Sequence, residues 1–476
     1  MAASEADAVE VEVSRIRVSV FATSHASSSS AVARPYTPDM PSRPTDMFTL
    51  RRARLMLLAL AGVALAAKAV TAWTTTGTDD ALFWRVFADT VRRVGPIEIY
   101  SEHLIVRYNH PPPVGWLLAG LNQLTDLGLP FGFLIRLPAS LADVGSTFLV
   151  FELLRRRMPL RGAFAAATLV AVNPVLFAIS GFHGNTDSVF VFFVLLAVWL
   201  LTDLDRPVLA GFAFAAALGV KLVPVVVALA LLAAAVRRRR GVRLTAAVGA
   251  AVLASWLPAV VREYPAMKAN VFGYDGQSGE WGIGAVLRGL GATGAIDVFA
   301  GPGRYVVVAA AALPAAYWAW RRPEDLPAAV GLSLVTFLTL SPAFGLQYLA
   351  WPLAAGTLLS PVVAAVYSLV AGTVLVVFYT QWSGGFPWDS AHPQRSTTSD
   401  LLLLIAAWLV LVGWSAVGMH RLAGAVRVPR MPQPVGPDRT AGSAFIDRER
   451  RPAGAGGRHA AAYRGTGTDR RPGGQG

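Results

Sequence analysis

The sequence predicts an all-α polytopic membrane protein with roughly 11 to 14 transmembrane helices. Hydrophobic residues make up 54% of the 476 residues and charged residues only 15%, whereas about 25% of an ordinary soluble chain is charged. The apolar residues fall in long blocks, many near the roughly 20 residues that a helix needs to cross a bilayer. A lipid bilayer is therefore the first predicted partner, and the plasma membrane is the predicted location.

The basic residues support the same fold class. The formal net charge is +13, but the arginines stand in short runs at the ends of apolar blocks, such as Arg155–Arg157 and Arg237–Arg240. This pattern marks the cytoplasmic ends of spans and does not favour nucleic acid as a partner. The sequence has no cysteine, which excludes disulfides and Cys-ligated metals.

Three regions follow from composition. Residues 1–48 are rich in Ser, Ala, Pro and Thr and are predicted to be a disordered cytoplasmic tail. Residues 49–420 form the transmembrane domain. Residues 421–476, rich in Gly, Arg and Pro, are predicted to be a second disordered, basic cytoplasmic tail.

The first apolar block, residues 55–73, sets the orientation of the domain. Arg51, Arg52 and Arg54 precede it, so its N-terminal end is expected in the cytoplasm and the polar loop Thr74–Pro113 outside. This long first extracytoplasmic loop separates the first block from the second.

Part of this loop is predicted to be an amphipathic helix over residues 81–94. Trp84, Phe87 and Val91 share one face, while Arg85 and Asp89 can form an ion pair on the opposite face. A helix of this kind is expected to lie on the membrane surface.

The remaining apolar blocks alternate between the two sides when every Arg cluster is cytoplasmic. One conflict stands: blocks 113–126 and 131–154 would together put Arg155–Arg157 outside, so one of them is expected to be half-length or interfacial. Arg136 and Asp143 are seven residues apart in the second of these blocks and are expected to be structural partners on one helix face. The later blocks are 163–180, 188–204, 207–220, 222–236, 244–261, 304–320, 327–341, 345–360, 362–380 and 400–419.

Polar residues of unusual type collect in the loops expected outside. Carboxylates hydrogen-bond hydroxyl groups, isolated cations pair with phosphate, and aromatic rings pack on the apolar faces of sugars. A sugar phosphate is therefore a suitable ligand for this set. Its members are Asp79, Asp80, Trp84, His110, His183, Asn185, Asp187, Lys221, Arg262, Gln347 and Tyr348.

The order of these motifs resembles that of integral-membrane glycosyltransferases of the GT-C superfamily, over residues 50–420. The resemblance rests on G-T-D-D-A-L-F-W, G-P-I-E-I-Y and Y-N-H-P-P-P in the first outer loop. It continues through G-F-H-G-N-T-D-S, K-L-V-P and S-P-A-F-G-L-Q-Y-L-A-W-P. The nearest type is that of bacterial, especially actinobacterial, enzymes that use polyprenyl-phosphate sugars, and the Ala-, Arg-, Gly- and Val-rich composition fits a high-GC source.

The resemblance implies inverting transfer of a sugar from a polyprenyl-phosphate donor to a hydroxyl acceptor outside the cytoplasm. Asp80 matches the family's acid by its spacing to Trp84 and would be the general base, with Asp79 the second choice. Lys221, with Arg262, would bind the donor phosphate.

The other predicted site residues have less defined roles. Asp187 matches a second acidic position that would orient the acceptor or a metal. The sequence assigns no cofactor, and a divalent cation is left open. The predicted substrate-binding residues are Trp84, His110, His183, Asn185, Gln347 and Tyr348.

Several alternatives stay open at this stage. Asp79 and Asp187 could each cap a helix, and Arg262 could be an interface anchor. The rival classes are a transporter or flippase of lipid-linked sugars and a catalytically inactive GT-C-like assembly subunit. Mannose is the first choice of sugar, ahead of glucose and arabinose. The acceptor could be lipid-, polysaccharide- or protein-linked.

Overall fold

The computed structural model describes residues 48–427, except 275 and 277. The predicted disordered tails, residues 1–48 and 421–476, lie almost wholly outside this range. The last helix runs to Arg427, seven residues beyond the predicted domain boundary at 420.

The described chain is almost entirely helical, which confirms the predicted all-α polytopic fold class. The α-helices are α1 Leu50–Thr74, α2 Asp79–Val94, α3 Pro112–Asp126, α4 Phe131–Leu154, α5 Leu160–Ala171, α6 Pro174–Phe177, α7 Asp187–Thr202, α8 Pro207–Val220, α9 Val225–Arg237, α10 Gly241–Met267, α11 Gly282–Gly289, α12 Thr293–Ala300, α13 Arg304–Arg321, α14 Leu326–Leu340, α15 Leu353–Leu359, α16 Pro361–Trp382 and α17 Thr398–Arg427. Short 3₁₀ turns lie at Glu98–Ser101, Pro323–Asp325 and Leu346–Ala350, and π-helical turns at Ala178–His183 and Lys268–Phe272. Two short strands, β1 Gly77–Thr78 and β2 Ser390–Ala391, pair in parallel.

Six helical segments within the described residues are long and apolar enough to span a membrane, or seven if the bent pair α12–α13 is one span. One of the six segments, Leu160–His183, joins α5, α6 and a π-helical turn. Three shorter apolar helices, α7, α8 and α9, add to them. The sequence predicts roughly 11 to 14 spans because it also counts such short blocks. The six or seven long segments do not test that number, which stays a prediction.

The arginine clusters meet at one end of the helix bundle. Glu152 at the end of α4 accepts from Arg54 at 2.7 Å and Arg155 at 2.6 Å. Arg156 pairs with Asp203, which follows α7, at 3.0 Å, and Arg240 pairs with Asp205 at 2.6 Å. We call this the arginine-rich end, because helix termini far apart in the sequence converge there, as the predicted alternation of the blocks requires.

Helix α3 resolves the conflict between the two neighbouring blocks. It lies parallel to α2: Asn122 Nδ2 donates to the Ala88 carbonyl at 2.7 Å, and four residues further along both helices Arg92 pairs with Asp126 at 2.7 Å. The 15-residue α3 therefore lies along α2, and α4 is the helix that runs to the arginine-rich end.

The amphipathic helix is confirmed. Trp84, Phe87 and Val91 are all buried, in a cluster shared with α3 and α10. Arg85 and Asp89 form the expected ion pair at 3.0 Å on the exposed face.

The expected partnership of Arg136 with Asp143 is wrong, because Arg136 bonds to the end of α1 and the turn after it, and Asp143 bonds to α1. The fully buried Arg136 guanidinium donates to the carbonyls of Ala72 at 3.3 Å and Thr75 at 3.0 Å, and to that of Thr76. Asp143 pairs with the buried Lys68 ammonium at 2.5 Å. The last carbonyls of a helix lack intrahelical partners, so a cation at the end of α1 is favoured. Arg136 thereby fixes the turn that leads to the acidic pair.

Candidate functional site

Asp80 lies in the first turn of α2 and is the centre of a polar cluster. Its Oδ2 is 3.0 Å from His183 Nε2 and accepts from Asn185 Nδ2 at 3.0 Å. The side chain is 32% exposed. Burial by itself would raise the pKa of Asp80, but His183, Asn185 and the Lys221 ammonium together lower that pKa below its ordinary value. The carboxylate is therefore ionised at neutral pH and can accept a proton.

His183 is brought to Asp80 by a π-helical turn, a feature that often occurs at functional sites. Its Nδ1 lies 2.6 Å from the Tyr379 hydroxyl, so both ring nitrogens have partners. Gly184, which follows it, has φ +88, and a Cβ there would approach Ala81 Cβ to 2.9 Å. A glycine allows both this backbone conformation and the close approach to α2.

Asp187 is fully buried at the start of α7, and both carboxylate oxygens have partners. Oδ1 is 2.5 Å from Lys221 Nζ, and Oδ2 accepts from Trp351 Nε1 at 2.7 Å. Asn185 Oδ1 accepts from the Asp187 backbone N–H at 3.1 Å, so it links the start of α7 to Asp80. Because both Asp187 oxygens are occupied, the carboxylate orients Lys221 in this structure.

Lys221 occupies the break between α8 and α9, where its backbone is extended. Its ammonium lies 4.9 Å from the ring centroid of Tyr348 and 5.1 Å from that of Trp351, which stack on each other. The side chain is 21% exposed. A carboxylate and two aromatic faces thus hold a partly accessible cation, because an ammonium is attracted to the faces of aromatic rings.

His110 and Trp84 form a stacked pair with ring centroids 4.2 Å apart. Burial and the nearby Lys221 charge lower the pKa of His110 to about 3, against the opposing effect of Asp80. His110 is therefore a neutral imidazole that can hydrogen-bond a polar ligand. Trp84 is only 2% exposed, so its part in the site is to support His110.

The other predicted residues are placed differently. Arg262 is 66% exposed and pairs with Glu98 at 3.2 Å, beside a groove of about 400 Å³ whose lining also includes Trp116 and Val261. The half-buried Gln347 side chain lies against Gly345.

Asp79 is not the N-cap of α2. The cap position belongs to Thr78, whose hydroxyl donates to the His183 carbonyl at 2.8 Å and makes no capping bond. Asp79 Oδ1 instead lies 2.6 Å from His392 Nδ1.

Three site residues were missed by the sequence reasoning: Arg136, Tyr379 and His392. Arg136 was recognised only as a structural residue on one helix face with Asp143, and it was paired with the wrong partner. Tyr379 lies inside an apolar block, and His392 lies in a loop of unremarkable composition. Each of them contacts a residue that is 60 to 313 positions away in the sequence. No local sequence pattern predicts such contacts.

The described residues show no group of three or more His, Asp or Glu side chains placed to hold a metal ion, over 48–427 with 275 and 277 left out.

The fold and the cluster together define a polytopic helical membrane protein with an ionised carboxylate, a neutral imidazole and a partly exposed cation in one site. Residues 109–261 match a family described as dolichyl-phosphate-mannose-protein mannosyltransferase. A segment of 90 residues, 19% of the chain, is 34% identical to a Bacillus subtilis (strain 168) protein provisionally named mannosyltransferase YkcB and covers 12% of that protein. The two matches support a GT-C-type membrane glycosyltransferase, the class that the motifs resemble.

Proposed function

We propose that the protein is an inverting glycosyltransferase. It transfers a sugar, mannose as the first choice, from a polyprenyl-phosphate donor to a hydroxyl acceptor on the extracytoplasmic face. The observation that carries the proposal is the ionised Asp80 carboxylate, oriented by His183 and Asn185 and within the electrostatic influence of Lys221. An oriented base and a cation in one site are the two groups that such a transfer needs.

In this reaction Asp80 is the general base. The acceptor oxygen forms a bond to the anomeric carbon while its proton passes to the Asp80 carboxylate. The hydrogen bonds from His183 and Asn185 converge on Oδ2, which leaves Oδ1 as the oxygen for the acceptor proton. The bond between the anomeric carbon and the phosphate oxygen breaks with inversion.

Lys221 stabilises the negative charge that develops on the departing polyprenyl phosphate. Its ammonium is held by Asp187, Tyr348 and Trp351, so little rearrangement is needed when the phosphate arrives. A preorganised charge of this kind is most effective where charge develops in the transition state. His110, kept neutral, would donate or accept a hydrogen bond at the sugar.

The proposed donor sugar and the proposed extracytoplasmic position of the site are supported by different observations. The matching family and the Bacillus subtilis relative are both described as mannosyltransferases, which favours mannose. The arginine-rich end is the cytoplasmic end by the positive-inside rule, and Asp80 follows the opposite end of α1.

The test compares the wild type, Asp80→Asn and Asp79→Asn in membranes supplied with radiolabelled polyprenyl-phosphate sugars, mannose first. Asp80→Asn keeps the size of the side chain and removes the base, so transfer is expected to fall about 10²- to 10⁴-fold. Asp126→Asn, which breaks an exposed ion pair of α3, is the matched control and is expected to retain wild-type activity.

One result would overturn the proposal, and a second would change only the residue assigned as the base. If the folded wild type transfers no sugar from any such donor, the glycosyltransferase hypothesis is wrong. Transport of lipid-linked sugars then becomes the next assay. If Asp79→Asn abolishes transfer while Asp80→Asn does not, the transferase stands but the base is Asp79.

A further inference from the structure

The segment between α16 and α17, residues 383–397, folds back onto the acidic pair, and we call it the strap. Its strand β2 pairs with β1, with Gly77 opposite Ser390 and Thr78 opposite Ala391. The Gly77 backbone N–H donates to the Asp389 carbonyl at 2.9 Å. The strap is therefore fixed beside the backbone that leads directly into α2.

The strap supplies a second carboxylate–imidazole pair next to the first. His392 Nδ1 lies 2.6 Å from Asp79 Oδ1, and Nε2 lies 2.9 Å from Ser390 Oγ. The His392 side chain is 60% exposed, whereas that of His183 is 5% exposed. The two carboxylates are equally exposed, at 32% each, but the histidine on Asp80 is enclosed by the protein, whereas the histidine on Asp79 is open to a ligand from solvent.

The strap also carries two aromatic rings, Trp388 and Phe386. Trp388 packs against Phe182 and Tyr379 at 5.1 and 5.4 Å between ring centroids, and its Nε1–H donates to Thr380 Oγ1 at 3.0 Å. Phe386 meets Trp388 edge-on at 5.9 Å and is 78% exposed. Aromatic rings and exposed hydroxyl-binding groups on one short segment match the two surfaces of a sugar, since rings pack on its apolar face and polar groups bond its hydroxyls.

The position of the strap indicates which substrate it meets. In an inverting transfer the attacking oxygen and the leaving group stand on opposite faces of the sugar ring. Lys221, on the leaving-group side, contacts Asp187, Tyr348 and Trp351. The strap contacts Asp79, the immediate neighbour of the base, and is placed to receive the acceptor.

Building on the transferase function proposed above, we propose that the strap forms the acceptor subsite and that the acceptor is a carbohydrate. The Asp79–His392 pair binds hydroxyl groups of the acceptor, and Phe386 and Trp388 pack against its ring. One of its hydroxyls then reaches Asp80.

The test measures acceptor and donor KM separately, with polyprenyl-phosphate mannose as donor. The acceptors are short synthetic oligomannosides and Ser/Thr peptides. His392→Leu removes the bond to Asp79, while His392→Asn keeps a donor near the position of Nδ1. His420→Gln, an exposed histidine near the end of α17, and Phe212→Ala, an exposed phenylalanine of α8, are the matched controls.

Transfer to the oligomannoside is expected in the wild type. In His392→Leu and Phe386→Ala the KM for the saccharide should rise about tenfold, the effect of one lost hydrogen bond or ring contact. The donor KM should stay unchanged, and His392→Asn should recover most of the loss. Transfer to peptides and not to saccharides, or an unchanged saccharide KM in both variants, would overturn the proposal.

A binding measurement separates this proposal from the transferase function. Saturation-transfer NMR with the free oligomannoside, without donor, should detect binding to the wild type and to His420→Gln and a loss of binding in His392→Leu. Binding that depends on His392 would support the subsite even if no donor were accepted. Absence of saccharide binding in a wild type that does transfer mannose would reject the subsite alone.

Discussion

Replacing Lys221 by methionine separates an effect on folding from an effect on catalysis. In the wild type the Lys221 ammonium lies 2.5 Å from a carboxylate oxygen of Asp187, which is fully buried. Without the cation, Asp187 keeps only the Trp351 hydrogen bond. At an effective dielectric constant of about 20, two unit charges at this distance attract by about 7 kcal/mol. The net cost of removing one partner of a buried pair is smaller, about 3–5 kcal/mol.

The double variant Lys221→Met/Asp187→Asn removes both charges and should restore most of this stability. A neutral amide can still accept from Trp351, so no buried charge lacks a partner. The melting temperature of the protein in detergent is the measurement, with Asp187→Asn alone as the intermediate case. We expect Lys221→Met to be the least stable of the three variants.

Transfer should respond differently from stability. The ammonium would stabilise charge on the leaving phosphate, and loss of one such group costs about 10²- to 10³-fold in kcat. The double variant should therefore fold and still lack transfer activity. Asp187→Asn keeps the cation and should retain most of the wild-type transfer activity. If the double variant regains both stability and transfer, Lys221 acts only as the counter-ion of Asp187 and the reasoning on the phosphate is wrong.

Three further predictions concern the frame around the site. Arg136→Met should lower the free energy of unfolding by about 3 kcal/mol, because the carbonyls of Ala72 in α1 and of Thr75 just after it lose a charged donor. Gly184→Ala should cost about 1–3 kcal/mol, since it combines φ +88 with a Cβ contact of 2.9 Å. Because the pKa of His110 is about 3 when folded and about 6.5 when unfolded, protonation favours the unfolded chain. Stability should fall as the pH drops from about 6.5 towards 3, by at most about 2 kcal/mol at pH 5, and His110→Asn should lack this slope.

Thermal unfolding in detergent checks all three. Wild-type stability of Arg136→Met would mean that the end of α1 is fixed by other contacts. An unchanged melting temperature of Gly184→Ala would show that the turn can move away from α2. Equal pH dependence of the wild type and His110→Asn, measured between pH 5 and 7, would show that His110 is not held neutral.

The pairing of the acidic residues shows what local sequence could not provide. Asp79 and Asp80 were recognised from their position in a polar loop, yet their histidine partners come from different parts of the chain. His183 is 103 residues from Asp80, and His392 is 313 residues from Asp79. Only the packing of α2 against the π-helical turn and the pairing of β1 with β2 decide which histidine meets which carboxylate.

The sequence by itself determined the features that depend on composition and period. Apolar blocks and flanking arginines predicted a helical membrane domain whose arginine clusters meet at one end, and the spacing of Trp84, Phe87 and Val91 predicted α2. These features follow from the transfer of apolar side chains out of water and from the 3.6-residue helical repeat, both of which act locally.

The tertiary structure decided which buried charges are partners. Arg136 and Asp143 share a helix face, but Arg136 bonds to the end of α1 and the turn after it, Asp143 bonds to Lys68 of α1, and Asp187 is the counter-ion of Lys221. A charge taken out of water must find its partner wherever the folded chain provides one. Helix packing, which brings together residues far apart in the sequence, therefore determines the partners that a local pattern leaves undefined.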